Sequence, residues 1–103
     1  MNTQLLVLQL LSKKDMYGYE MIEKLRIMSD STFDLKVGTL YPILHKLEIE
    51  GNLISYEKKT ETNKLRKYYS ITKKGEEVLG YKKTEWNKYM SAMQKILRGK
   101  AYD

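Results

Sequence analysis

The chain contains no cysteine, a single histidine, a single proline and a single tryptophan among its 103 residues. With no cysteine there is no disulfide and no thiolate metal site, and a reducing compartment suits the protein. His45, the one imidazole, has no thiol to activate. No paired-carboxylate site, phosphate-cradling glycine loop or spaced metal-ligand cluster is present. The chain is therefore not expected to be an enzyme, and neither a cofactor nor a metal is expected. A long apolar run is missing too. The stretch from Met1 to Leu11 is apolar but short, with no basic lead-in and no small-residue cleavage site. It reads as a core helix rather than a signal peptide or a membrane span. A cytoplasmic protein with no membrane partner is expected.

Acidic residues are scarce in one place. Between Ser55 and Gly75 stand seven Lys/Arg and two acids, a net of +5 out of +6 for the whole chain. The remainder carries 12 basic against 11 acidic residues, which is close to balance. An evenly solvated surface does not gather its excess charge this way. Local positive charge of this kind is the footprint of a polyanionic partner; the alternative on this feature alone is a solvated hairpin whose edge lysines merely avoid aggregation.

With 42% hydrophobic residues the chain is globular, and its length suits one modest core. Leu5, Leu6, Leu8, Leu10 and Leu11 give a first helix more than one apolar face. Met21, Ile22, Leu25 and Met28 recur at helical spacing in a second helix opening near Tyr17 and closed by Ser29-Asp30-Ser31. Thr32 to Leu35 is predicted to be a very short strand. A third helix is predicted from Val37 to Glu50, with Leu40, Ile43, Leu44 and Leu47 on its core face. Pro42 is expected in its first turn, where it removes only an N–H that has no helical acceptor. Gly51 or Asn52 supplies a left-handed stop. Leu53–Lys59 and Leu65–Thr72 read as β-strands joined by a turn in which Asn63 takes the positive φ. Alternation sends Tyr68 and Tyr69 to opposite faces, so one of them is expected in the core. Thr72 then caps a long last helix ending at Leu97 or Arg98, with Gly99 as its stop. The expected fold is mainly α (α+β): a winged helix-turn-helix over residues 1–72, with an added long C-terminal dimerisation helix and short tail over 73–103.

Two constellations follow. On the third helix Thr39, Pro42, His45 or Lys46, and Ile49 lie off the core face, with Lys36 at its start and Tyr41 flanking. Hydroxyls there suit phosphate oxygens, and proline suits a thymine methyl. Directly behind come Lys58, Lys59, Lys64, Arg66 and Lys67 in the wing, placed to neutralise phosphates. On the last helix Leu79, Trp86 and Met93 are seven apart, with Tyr89 and Met90 between the last two and Ile96 and Leu97 continuing the stripe. So long a stripe exceeds what one small core covers, so it points to pairing with a second copy, to which Leu5 and Leu8 of the first helix could add. Trp86 is expected as an anchor of that pairing or as one wall of a ligand pocket.

Three blocks resemble the PadR family of bacterial transcription regulators. They are Met16-Tyr17-Gly18-Tyr19-Glu20, Gly38-Thr39-Leu40-Tyr41-Pro42 with Leu47-Glu48 and Gly51, and Arg66-Lys67-Tyr68-Tyr69 with Thr72 and Gly75. The single C-terminal helix looks like the short subfamily. The resemblance implies DNA contacts by Tyr17, Thr39, Tyr41, Pro42, Arg66 and Lys67. It also implies a homodimer through the last and first helices, acting mostly as a repressor on a palindromic operator in double-stranded DNA. Trp86, with Tyr89, Met90 and Met93, would then line a dimer pore open to a planar, apolar small molecule. The wing turn departs from many members in having Asn63-Lys64-Leu65 where they carry glycine. The competing expectation from another class is a dimeric winged-helix adaptor that binds proteins and reads no DNA.

Overall fold

The computed structural model describes residues 2–99; Met1 and the tail at 100–103 lie outside the described residues. The order is α1 (Thr3–Leu11), β1 (Met16–Tyr17), α2 (Gly18–Met28), α3 (Val37–Ile49), β2 (Leu53–Lys59), β3 (Leu65–Ile71) and α4 (Lys73–Leu97). The strands form one antiparallel sheet in the order β1-β3-β2. This is a winged helix with a long extra helix at its end.

The leucines of α1 are spent on several sides at once. Leu5, Val7, Leu8, Leu10 and Leu11 all enter the core together with Met21, Leu25, Leu40, Leu44 and Leu47. Leu5 and Leu8 are buried in this core, and Leu8 has no exposed surface at all. Leu79 is likewise buried against that core. The reason is the small size of the domain: one core this size needs every leucine the first helix can supply.

The extra strand is not where the sequence placed it. Residues 32–35 join no ladder, and Leu35 reaches the core by side-chain burial alone. The free edge of β3 is taken by β1, with Met16 opposite Tyr69 and Tyr17 opposite Tyr68. Helix α2 then begins at once, its start fixed by the Tyr17 N–H donating to Glu20 Oε1 at 3.2 Å.

Pro42 also needs correcting. It is the sixth residue of α3, in the second turn, so its missing N–H would have bonded the Gly38 carbonyl. Gly38 is exposed, which lets water take that carbonyl, and the helix runs on through the proline without a break. Its far end matches expectation. Gly51 takes φ +82°, the Asn52 N–H donates to the Leu47 carbonyl at 2.9 Å, and the Gly51 N–H donates to Glu48 at 3.0 Å. That is a Schellman stop. Asn63 takes the positive φ of the hairpin turn, and the Thr72 hydroxyl accepts the Gly75 N–H at 3.0 Å, both as expected.

The first turn of α4 lies hard against the end of α3. The Thr72 hydroxyl donates to the Gly51 carbonyl at 2.7 Å, the Thr72 N–H to that of Asn52 at 3.0 Å, and Lys74 Nζ to that of Glu50 at 2.6 Å. A Cβ at Gly75 would overlap the Asn52 carbonyl oxygen. From there α4 runs 25 residues and draws the molecule out to 63 Å in its longest dimension. No helix among the described residues is long and apolar enough to cross a membrane. Gly75→Ala is expected to cost about 1–3 kcal/mol through that overlap. Urea unfolding should show it as a lower midpoint at unchanged slope.

Candidate nucleic-acid interface

Helix α3 buries Leu40, Leu44 and Leu47, which turns Thr39, Pro42, His45, Lys46 and Ile49 outward, all of them exposed, with exposed Lys36 just ahead of the first turn. The structure therefore brings these residues to one open face. Tyr41 has a second task. Its ring lies over Gly18 at the start of α2, so closely that a Cβ on Gly18 would overlap the phenol. The α2–α3 crossing thus depends on a glycine beside a tyrosine, and the only sequence signal for it is a glycine standing at a helix start.

The hairpin behind α3 has two chemically different faces. Toward α3 it shows Ser55, Lys67 and Tyr69. Ser55 Oγ donates to Glu48 Oε2 at 2.6 Å, and Lys67 Nζ stands 3.9 Å from Glu48 Oε1. The Lys67 ammonium also lies 5.5 Å over the Tyr69 ring. Away from α3 the register aligns Tyr56 with Tyr68 and Lys58 with Arg66, next to Tyr17 of β1. Here three tyrosines form a block: Tyr56 stacks on Tyr68 at 5.8 Å, and Tyr17 meets Tyr68 edge-on at 5.4 Å. The Arg66 guanidinium caps it, 5.5 Å from the Tyr17 ring and 5.6 Å from that of Tyr19, and Lys58 sits 5.1 Å over Tyr68.

Tyr69 is the core tyrosine, yet Tyr68 is buried as well, at 9% exposure against 3%. Its cover is the tyrosine block, which alternation alone does not reveal. Arg66 and Lys67, expected as one phosphate-gripping pair, are directed to opposite faces of the wing. Lys64 lies in the exposed turn between the strands. A cleft of about 510 Å³ opens between the wing and the start of α2, lined among others by Lys14, Asp15, Glu20, Lys58 and Arg66. The Arg66 Nε faces no acceptor although it is buried.

Along α4 the side chains beyond Leu79 leave the core. Trp86 is 42% exposed, and Ile96 and Leu97 are each 75% exposed. Trp86 and Tyr89 tilt together at 5.8 Å and, with Asn2, Phe33 and Glu85, line a hollow of about 640 Å³. Met90 and Met93, expected beside them, lie farther along the helix and outside that lining, Met93 exposed and Met90 half-buried.

A reading helix with an open outer face, a cationic two-stranded wing and a long terminal helix define a winged-helix DNA-binding protein. Comparison with known proteins agrees. The model of the transcriptional regulator PadR-like family matches residues 7–81, from α1 into α4, and the chain belongs to that family. A transcriptional regulator from Clostridium thermocellum shares 36% identity, each chain covered over 89%, with a TM-score of 0.81. A Streptococcus mutans protein shares 35% identity over 97% of this chain and 90% of its own, at TM-score 0.84. A PadR family transcription regulator from Clostridium difficile shares 34% over 91% and 96%, at 0.79.

The tyrosine block is tied down by the Tyr56 hydroxyl, which donates to Asp15 Oδ2 at 2.5 Å. That hydrogen bond, helped by desolvation, pushes the Tyr56 phenol from 10.0 up to about 12. The folded state thus holds the phenol proton more tightly than the unfolded chain. The stabilisation is complete below pH 10.0 and disappears as pH rises through about 12. Phenolate absorbance in an alkaline titration should show one tyrosine ionising last, and Asp15→Asn should bring that tyrosine back toward its ordinary value.

Proposed function

We propose that this PadR-family regulator is a homodimeric repressor. It holds a palindromic operator in double-stranded DNA and releases it when a planar, apolar small molecule enters between the subunits. Residues 1–72 form the reading unit, and 73–103 the pairing helix and its tail. The observation that carries this reading is the exposed stripe of Trp86, Tyr89, Met93, Ile96 and Leu97 on α4. Left in water, such a stripe gains nothing, whereas a two-fold axis lets one patch bury itself against its own copy. Two reading helices so joined must meet successive major grooves about 34 Å apart, and a slight change in the pairing of α4 spoils that spacing. The aromatic hollow beside Trp86 supports a flat effector, because a ring plane stacks on planar molecules.

Sedimentation separates one chain from two. Ile96→Asp should yield a species of half the wild-type mass that has lost most of its operator affinity. On an operator selected from random DNA, Arg66→Ala combined with Lys67→Ala should weaken binding at least tenfold and lower the slope of log affinity against log salt by about two. Equal, salt-insensitive binding by both proteins would instead favour the protein-binding adaptor. Quenching of Trp86 fluorescence by flat aromatic cations tests the pocket, and absence of quenching by any of them removes the effector from the reading.

A further inference from the structure

Glu48 stands on the reading helix but turns its carboxylate to the wing. One oxygen takes the hydroxyl of Ser55 on β2 at 2.6 Å, and the other stands 3.9 Å from the ammonium of Lys67 on β3. A single side chain therefore spans both wing strands and fastens them to α3. It is only about one-third exposed. At its root the wing is also joined to the end of α3, by Leu53 in the same buried core as Leu47 and by the Thr72 N–H donating to the Asn52 carbonyl at 3.0 Å. The apolar part of that root resists separation but is non-directional. A charge-assisted hydrogen bond has both direction and strength.

We infer that Glu48 is a positioning residue for DNA recognition. It sets the angle between wing and reading helix, and it holds Lys67 so that a phosphate gains that lysine only by displacing a carboxylate. The inference rests on α3 and the wing being the DNA-binding surface. Its consequence is a specificity filter. On the right sequence α3 seats fully, the fixed wing meets its phosphates in register, and the total gain exceeds the cost of freeing Lys67. On random duplex, where phosphate attraction is the whole of the binding, the carboxylate repels the backbone and withholds a cation.

The two roles separate in three variants of the full chain. Glu48→Gln removes the charge and keeps an acceptor for Ser55. Ser55→Ala removes the hydrogen bond and keeps the charge. Glu48→Ala removes both. Affinities for the selected operator and for random duplex are measured across a salt series, with a thermal melt of each variant. Both Glu48 variants should bind random duplex more tightly, with a salt slope steeper by about one because Lys67 is now free for a phosphate. Ser55→Ala should leave random binding and slope unchanged while losing about fivefold on the operator, the worth of one hydrogen bond. The operator-to-random ratio should fall in all three and furthest in Glu48→Ala. If Glu48→Ala unfolds, the other two carry the test. An unchanged ratio in Glu48→Gln and Ser55→Ala, with wild type discriminating normally, overturns the role of Glu48 alone. Failure of the wild-type chain to bind any duplex overturns the DNA surface itself.

Discussion

Where α3 ends, three successive carbonyls, those of Glu50, Gly51 and Asn52, point away from the helix and need donors. All three find them on the first turn of α4: Lys74 Nζ, the Thr72 hydroxyl and the Thr72 N–H. The two backbones come so close there that residue 75 has no room for a side chain. Most of the molecule's geometry follows from this crossing. The Schellman stop of α3 is held open for it, β2 starts one residue beyond it at Leu53, and β3 must return to Ile71 to reach it. The reading helix, the wing and the terminal helix thus share one joint about the size of a single turn.

The hairpin that leaves this joint is unusual in how it handles its charge. Its cations are not simply extended into water. Arg66 and Lys58 rest on tyrosine rings on one face, and Lys67 rests on Tyr69 and Glu48 on the other. Aromatic faces attract cations without neutralising them, so the field of the wing persists while its side chains lose freedom. Less ordering then remains to be done when a polyanion arrives. Tyr56 and Asp15 extend this order to the turn ahead of β1, making the wing continuous with the body of the domain.

Features set by local chemistry were legible in the sequence. Gly51, Asn63 and Thr72 each announce a backbone conformation that their own side chains, or the lack of one, favour, and each adopts it. The exposed face of α3 follows from the spacing of Leu40, Leu44 and Leu47. What escaped depends on partners far along the chain. Strand β1 is two residues long, too short to show a period, and exists only because β3 passes about fifty residues later. The tyrosine block joins residues 17, 56 and 68, which no local pattern connects. Nothing local to Glu48 signals its role, because its partners lie on two later strands. The leucines of α1 are a related case. A helix apolar on several sides can serve its own core or a neighbour, and only the packing decides.

The joint at the end of α3 gives α4 a mechanical meaning. A helix of 25 residues is about 38 Å long at 1.5 Å per residue, and its foot is riveted while its far end is free of the domain. Taken as a stiff arm, a tilt of about five degrees at the foot sweeps the far end through about 3 Å, by the same helical geometry. By the same geometry, a shift of about 3 Å near Leu97 corresponds to a tilt of about five degrees where α4 meets the end of α3. The length of α4 thus sets how distance at one end relates to angle at the other.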